Sequence, residues 1–128
     1  DGVDISPDMI DKAREKGDYR KLMQADLTAD YSYVPTDYAA IVSAGTFTFG
    51  HLGPELIPGM VSLCTSGAVA VLGVNSIYFA EQGFRSVLDS LEADGRIGNV
   101  VLHEMPIYDG RDAAHQDDTA MILAFTTR

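Results

Sequence analysis

The chain has 128 residues, 46% of them hydrophobic, enough for one domain with a modest core. Nineteen Asp and Glu against nine Lys and Arg set the formal net charge at -10. That balance argues against a large phosphate-neutralising surface and against attraction to an anionic membrane, so neither nucleic acid nor a membrane is an expected partner.

Cys64 is the one cysteine, which excludes an internal disulfide and makes a reducing compartment the default. The most apolar run, "AVAVLGV" at 68–74, is far too short for a bilayer. The N-terminus has no basic stretch followed by an apolar one, so no signal peptide is expected and the expected location is cytoplasmic.

In chain order, Val3 to Ile5 reads as the end of a strand. Ser6 is a good N-cap, Pro7 fits the first helical position and Asp8 suits the positive end of the helix dipole. Met9, Ile10 and Ala13 fall on one helical face, and Gly17 is placed to close the helix. A second strand is expected over about 20–25, ending at Asp26, and "YAAIVSAG" at 38–45 reads as a buried third. The loop "TFTFGHLG" follows at 46–53, then a short helix from Pro54 to about Cys64 and the strand "AVAVLGV". One helix is expected over about 79–93, with Phe84, Val87, Leu88 and Leu91 on its apolar face. Two closing strands, about 99–105 and 118–126, have only a loop between them and should pair antiparallel. Strand–helix alternation with an antiparallel pair at the end predicts an α/β fold with a mostly parallel, doubly wound sheet, in one domain.

Such sheets bind ligands beyond the carboxyl ends of their strands. Asp4 ends the first strand, where a carboxylate can accept from both hydroxyls of a vicinal diol such as ribose. The competing reading is an ordinary strand-capping aspartate. Asp26 ends the next strand, twenty-two positions later, and from there could accept from an adenine amino group beside an apolar wall at Leu27. Taken alone, a turn aspartate explains Asp26 as well. Ile5 could lie against a base face or be core. Ser43, Ala44 and Gly45 are small enough to let a ligand approach the backbone, and equally suit tight strand–helix packing.

In "AGTFTFGHLGPE", Phe47 and Phe49 alternate with Thr46 and Thr48, with His51 just behind. A loop of this kind could wall a reactive site from water, and His51 could orient a substrate or take a proton. A histidine bonded to its own turn is the alternative. No Gly-Lys-Ser/Thr phosphate loop and no Gly-x-Ser-x-Gly elbow occur. His51, Cys64, His103 and His115 are too far apart in sequence for a zinc pattern. Asp109, Asp112, Asp117 and Asp118 flank the last loop without calcium-loop spacing, and read as a solvated acidic loop. No metal site is expected.

Together, "GVDISPDMIDKAREKG", "QADL", "DYAAIVSAGTFTFGHLGPE" and "SGAVAVLGV" resemble the class I S-adenosylmethionine-dependent methyltransferases. "SAGTFTFGHLGPE" is most similar to the subgroup named after the Williams–Beuren syndrome chromosomal region. The resemblance runs over nearly the whole chain. It implies S-adenosylmethionine as cofactor, S-adenosylhomocysteine as product and a small-molecule methyl acceptor. It implies further that Asp4 holds the ribose, Ile5 and Leu27 contact adenine, and Asp26 takes the adenine amino group. Ser43, Ala44 and Gly45 would line the wall near the transferable methyl. Phe47, Phe49, His51 and Tyr78 would contribute to the acceptor pocket, with His51 and Tyr78 as candidates for a base. A dinucleotide-binding domain, which also uses a strand-end acid, and a noncatalytic interaction domain of the same fold are the alternatives.

The family's pattern begins with a strand and a glycine-rich cofactor loop that have no counterpart here, so the chain is expected to be a fragment. The family strand order 3-2-1-4-5-7-6 puts that strand in the middle of the sheet. Its absence predicts two unpaired interior edges, closed by rearranged pairing or by a strand from a second copy.

Overall fold

A computed structural model describes residues 1–29, 34–107 and 118–128. The chain forms two compact units, Asp1–Pro35 and Thr36–Arg128.

The first unit is a βαβ step. Strand β1 (Gly2–Asp4) runs parallel to β2 (Leu22–Gln24), with Val3 opposite Met23 and Asp4 opposite Gln24. Helix α1 (Pro7–Lys16) joins them. The Ser6 hydroxyl accepts the Met9 N–H at 3.3 Å, Pro7 stands in the first turn, and Gly17 closes the helix in the left-handed region at φ 71°. These are the stop and start signals the sequence displays, each satisfying a backbone group the helix leaves free. The apolar face is narrower than the spacing suggests. Ile10 is buried, Ala13 is half-buried and Met9 is exposed.

The second unit is built on a four-stranded sheet in the order β3-β4-β6-β5. Its strands are β3 (Tyr38–Phe47), β4 (Cys64–Asn75), β5 (Ile97–Pro106) and β6 (Thr119–Thr127). β3 is parallel to β4, whereas β6 is antiparallel to both β4 and β5, as expected for strands joined by a loop alone. Val42, Val71, Ala124 and Val101 stand in one row across the four strands. The adjoining row one residue along, Ser43, Leu72, Leu123 and Leu102, points to the opposite face, as the period of two requires.

That second row belongs to the core. Between β3 and β4 the chain makes a 3-10 turn at Pro54–Leu56 and helix α2 (Ile57–Ser62). After β4 come α3 (Ser76–Glu81) and α4 (Phe84–Ala93). Ile57, Phe84, Leu88 and Leu91 from these segments are buried together with Phe47, Leu72, Val74, Ile97 and Leu123 of the strands. The single helix expected over 79–93 is therefore two. Gly83, at φ 76°, separates them in a conformation that a side chain disfavours.

Two further differences concern the sheet. β4 begins at Cys64, four residues before the apolar run, because Thr65 to Gly67 extend it with little burial. The strands also form a two-stranded and a four-stranded sheet rather than one. Among the described residues β1 pairs only with β2, and β3 only with β4. No helix among the described residues is long and apolar enough to cross a membrane. Asp109, Asp112, His115 and Asp117 lie outside the described residues.

At the far end of β6, Thr127 is buried, and its hydroxyl accepts the Ala68 N–H at 2.9 Å while lying 2.6 Å from the Thr65 carbonyl, to which it donates. Thr127→Val keeps the shape but strands a buried N–H and a carbonyl. The expected loss is about 1–3 kcal/mol, measured as a lower urea midpoint at unchanged slope; an unchanged midpoint would show that water replaces the hydroxyl.

Candidate functional site

The residues singled out from the sequence fall at the carboxyl ends of parallel strands, in each unit separately. In the first unit, β1 ends at Asp4 and β2 is followed at once by Ala25 and Asp26, so the two carboxylates stand at one end of the parallel pair. The Ala25 N–H donates to the Asp4 carbonyl at 3.1 Å and carries the ladder one step further. Asp4 Oδ1 accepts the Ser6 N–H at 2.8 Å, a local turn that also feeds α1. Ile5 is exposed, and its carbonyl accepts from Gln24 Nε2 at 3.2 Å.

Asp26 Oδ1 accepts both the Thr28 N–H at 2.8 Å and the Thr28 hydroxyl at 2.6 Å. The hydroxyl bond, followed by the backbone bond, holds the Asp26 carboxyl below the usual aspartate range. Both aspartates thus make the turn contacts of the competing reading. Each does so through Oδ1, and among the described residues Oδ2 of neither has a hydrogen-bond partner. Leu27 is half-buried beside Asp26.

In the second unit the end of β3 is irregular. Ser43 pairs with Leu72 and Phe47 with Val74, so β3 spends two more residues than β4 over this interval. Gly45 lies inside the bulge at φ 73°, and no heavy atom lies within 4 Å of where a Cβ would stand. The requirement for glycine here is the backbone conformation and not crowding. Ala44 is exposed, and the buried Ser43 hydroxyl has no hydrogen-bond partner among the described residues. A buried orphan hydroxyl is uncommon, and a polar ligand group is one way to satisfy it.

Beyond the bulge the aromatic residues divide. Phe47 is fully buried against Phe84, edge to face at 5.7 Å, so it is a core residue and does not face open space. Phe49 is 52% exposed and meets Tyr78 edge-on at 4.9 Å. Tyr78 is buried, and its ring reaches on to Phe84 at 5.6 Å. Asn75 caps α3 by accepting the Tyr78 N–H at 3.0 Å, which fixes that ring relative to the end of β4. His51 is exposed, and its N–H donates to the Thr48 carbonyl at 3.1 Å within the loop. The structure therefore brings Phe49 and Tyr78 together and leaves His51 on the loop surface.

The sequence reading missed a carboxylate at this same end. Glu104 accepts from the Thr119 hydroxyl at 2.6 Å across the β5–β6 pair. That bond holds its carboxyl below the usual glutamate range, and the nearby Ser76 hydroxyl, beyond hydrogen-bond geometry, acts in the same direction. Nothing local in the sequence marks Glu104, because its partner is fifteen residues away across an antiparallel register. Among the described residues, no cluster of His, Cys, Asp and Glu could hold a metal ion.

No family model and no curated protein matches the chain. Solved structures do. A TehB-like S-adenosylmethionine-dependent methyltransferase from Corynebacterium glutamicum matches at 21% identity and a TM-score of 0.65, over 99% of this chain and 67% of its own. The CurJ carbon methyltransferase matches at 20% identity and a TM-score of 0.58, over 98% of this chain and 41% of its own. A Clostridium thermocellum chain proposed to be an rRNA methylase matches at 13% identity and a TM-score of 0.63, over 99% and 74%. The chain therefore has the fold seen in S-adenosylmethionine-dependent methyltransferases and spans part of their length.

Replacing Thr28 with Val removes the hydroxyl bond to Asp26 and keeps the backbone bond. The Asp26 pKa, followed by carbon NMR, is expected to rise towards the ordinary aspartate value. Because the folded pKa is depressed, the stabilisation linked to it is present above the unfolded pKa and is lost as pH falls through the folded value. An unmoved titration in Thr28→Val would remove the hydroxyl as the cause.

Proposed function

We propose that the chain is part of an S-adenosylmethionine-dependent methyltransferase that acts on a small-molecule acceptor. The observation that carries this reading is the match of 99% of the chain to a methyltransferase fold with acids at the ends of two adjacent parallel strands. The likeness of "SAGTFTFGHLGPE" to the Williams–Beuren subgroup supports a finer placement within that fold.

The residues present suit the nucleoside end of the cofactor. Among the described residues, Asp4 and Asp26 each keep a carboxylate oxygen without a hydrogen-bond partner, and Ile5 offers an exposed apolar surface beside Asp4. On this reading Asp4 accepts from the ribose hydroxyls. Asp26 accepts from the adenine amino group through its ionised carboxylate. Ile5 and Leu27 supply the walls of the base. Taken by itself, the second unit offers a glycine bulge that suits close approach of a ligand and a buried Ser43 hydroxyl that has no partner among the described residues.

When bound, the cofactor supplies an electrophilic methyl group on a sulfonium. Transfer to a nucleophilic acceptor disperses charge rather than creating it, so alignment of the reacting atoms and exclusion of water do most of the work. Phe49 and Tyr78 are placed to provide an apolar wall at the ends of β3 and β4. A base is needed only where the acceptor still carries a proton at attack. His51, exposed on its loop, and Tyr78 are the groups available for that task. The cytoplasm, with its supply of S-adenosylmethionine, is the setting this reading implies.

Calorimetric titration of S-adenosylhomocysteine into this chain and into Asp4→Ala tests the reading. The expected result is saturable binding, weakened about tenfold or more in the variant, for the loss of a charge-assisted contact of about 1.4 kcal/mol or more. Binding of NADH in its place would favour a dinucleotide-binding domain, and binding of neither would favour a noncatalytic one.

A further inference from the structure

One row of the four-stranded sheet ends in a charge where its pattern calls for an apolar residue. The registers set Phe47 of β3, Val74 of β4, Met121 of β6 and Glu104 of β5 side by side, on the face that also carries Leu72 and Leu123. Phe47 and Val74 are buried, whereas Glu104 is exposed. Leu102, two residues earlier on β5, keeps the apolar pattern of this face, and Glu104 breaks it. Departures of this kind concentrate at functional sites.

The carboxylate is held from one side. Thr119, on the same face, donates its hydroxyl to Oε1 at 2.6 Å. The Ser76 hydroxyl lies near it, is buried, and has no hydrogen-bond partner among the described residues. No Lys, Arg or His among the described residues forms an ion pair with Glu104. Its charge is thus oriented without being compensated. Ser76 opens α3, the same helix whose Tyr78 ring meets the half-exposed Phe49. Carboxylate and aromatic pair therefore both adjoin α3 at the carboxyl end of β4.

We infer that Glu104 binds the acceptor, and that the acceptor carries a positively charged amine or amidine group. The inference rests on the methyltransferase reading and names a substrate class for it. An oriented carboxylate accepts strong, charge-assisted hydrogen bonds from the N–H groups of a cation. The rings of Phe49 and Tyr78 add attraction for a cation and none for an anion. The net charge of -10 raises the local concentration of cations in the same sense. A neutral or anionic acceptor gains nothing from any of these. A protonated amine has no lone pair with which to attack a sulfonium methyl. The group held by Glu104 is therefore not the methylated atom, and the role of Glu104 is to anchor the acceptor and select it by charge.

Amide NMR titration with benzylammonium, which joins a cation to a ring, against benzyl alcohol as its neutral counterpart tests this. Benzylammonium is expected to bind the more tightly and to shift the amides of Glu104, Ser76 and Thr119. Glu104→Gln keeps an acceptor for Thr119, and should weaken benzylammonium about fivefold while leaving benzyl alcohol unchanged. Glu81→Gln, an exposed carboxylate on α3, should change neither. Equal affinity for the two probes overturns the inference. So does benzylammonium binding that is unmoved in Glu104→Gln, which would leave Glu104 and Thr119 as a cross-strand pair that steadies the sheet. S-adenosylhomocysteine titrated into the same samples separates the two readings. Its binding without selective binding of the amine removes the anchor alone. Amine binding that depends on Glu104, in a chain that binds no S-adenosylhomocysteine, keeps the cation site and removes the methyltransferase reading.

Discussion

The second unit depends on β4. It is the parallel partner of β3 and an antiparallel partner of β6, so the ladder passes through it in both directions. Alternate residues of its apolar run, Ala68, Ala70, Leu72 and Val74, are buried under the helices. A strand bonded on both edges and buried on one face has a single register available, because a slip of one residue would turn that row outward. The rest of the unit takes its position from this. β3 is held parallel at the register where Val42 meets Val71, and its surplus residues are taken up in the bulge around Gly45. α3 starts directly from the last residue of β4, capped by Asn75.

That dependence explains how a rigid core presents adaptable chemistry. The aromatic chain Phe47–Phe84–Tyr78–Phe49 runs from full burial to half-exposure, each ring meeting the next edge to face or nearly so. Phe84 anchors it in the core, which steadies Tyr78, and Tyr78 in turn gives Phe49 a surface to rest on. Such contacts are worth about 0.5–1.5 kcal/mol each beyond the area they bury. The candidate acceptor wall is thus an outward extension of the core. In the first unit the logic is more local. Asp4 and Asp26 are oriented by turns that their own carboxylates help to form, before any ligand is considered.

The legibility of the sequence followed the range of the interactions involved. Ser6, Pro7 and Gly17 mark α1 correctly because caps satisfy backbone groups a few residues away. The antiparallel pairing of the last two strands was equally legible, since a loop with no helix leaves little other choice. The expected single helix over 79–93 failed at Gly83, since a glycine inside an apolar period costs little enough to be overlooked and only φ 76° reveals the break. Phe47 and Phe49 look alike in "TFTFG", yet one is core and the other half-exposed, because β3 ends at Phe47 and the turn that follows takes Phe49 out of the strand.

The sequence by itself determined the order of the strands, the caps of the first helix and the placement of Asp4 and Asp26 at strand ends, because each is set by residues close together in the chain. Tertiary structure alone decided which aromatic residues are buried, the division into a two-stranded and a four-stranded sheet, and the pairing of Glu104 with Thr119. It alone decided, too, that Val42, Val69 and Val101 are exposed while Leu72 and Leu123 are buried. These features depend on register between strands distant in sequence, and periodicity shows that a residue is apolar without showing what covers it.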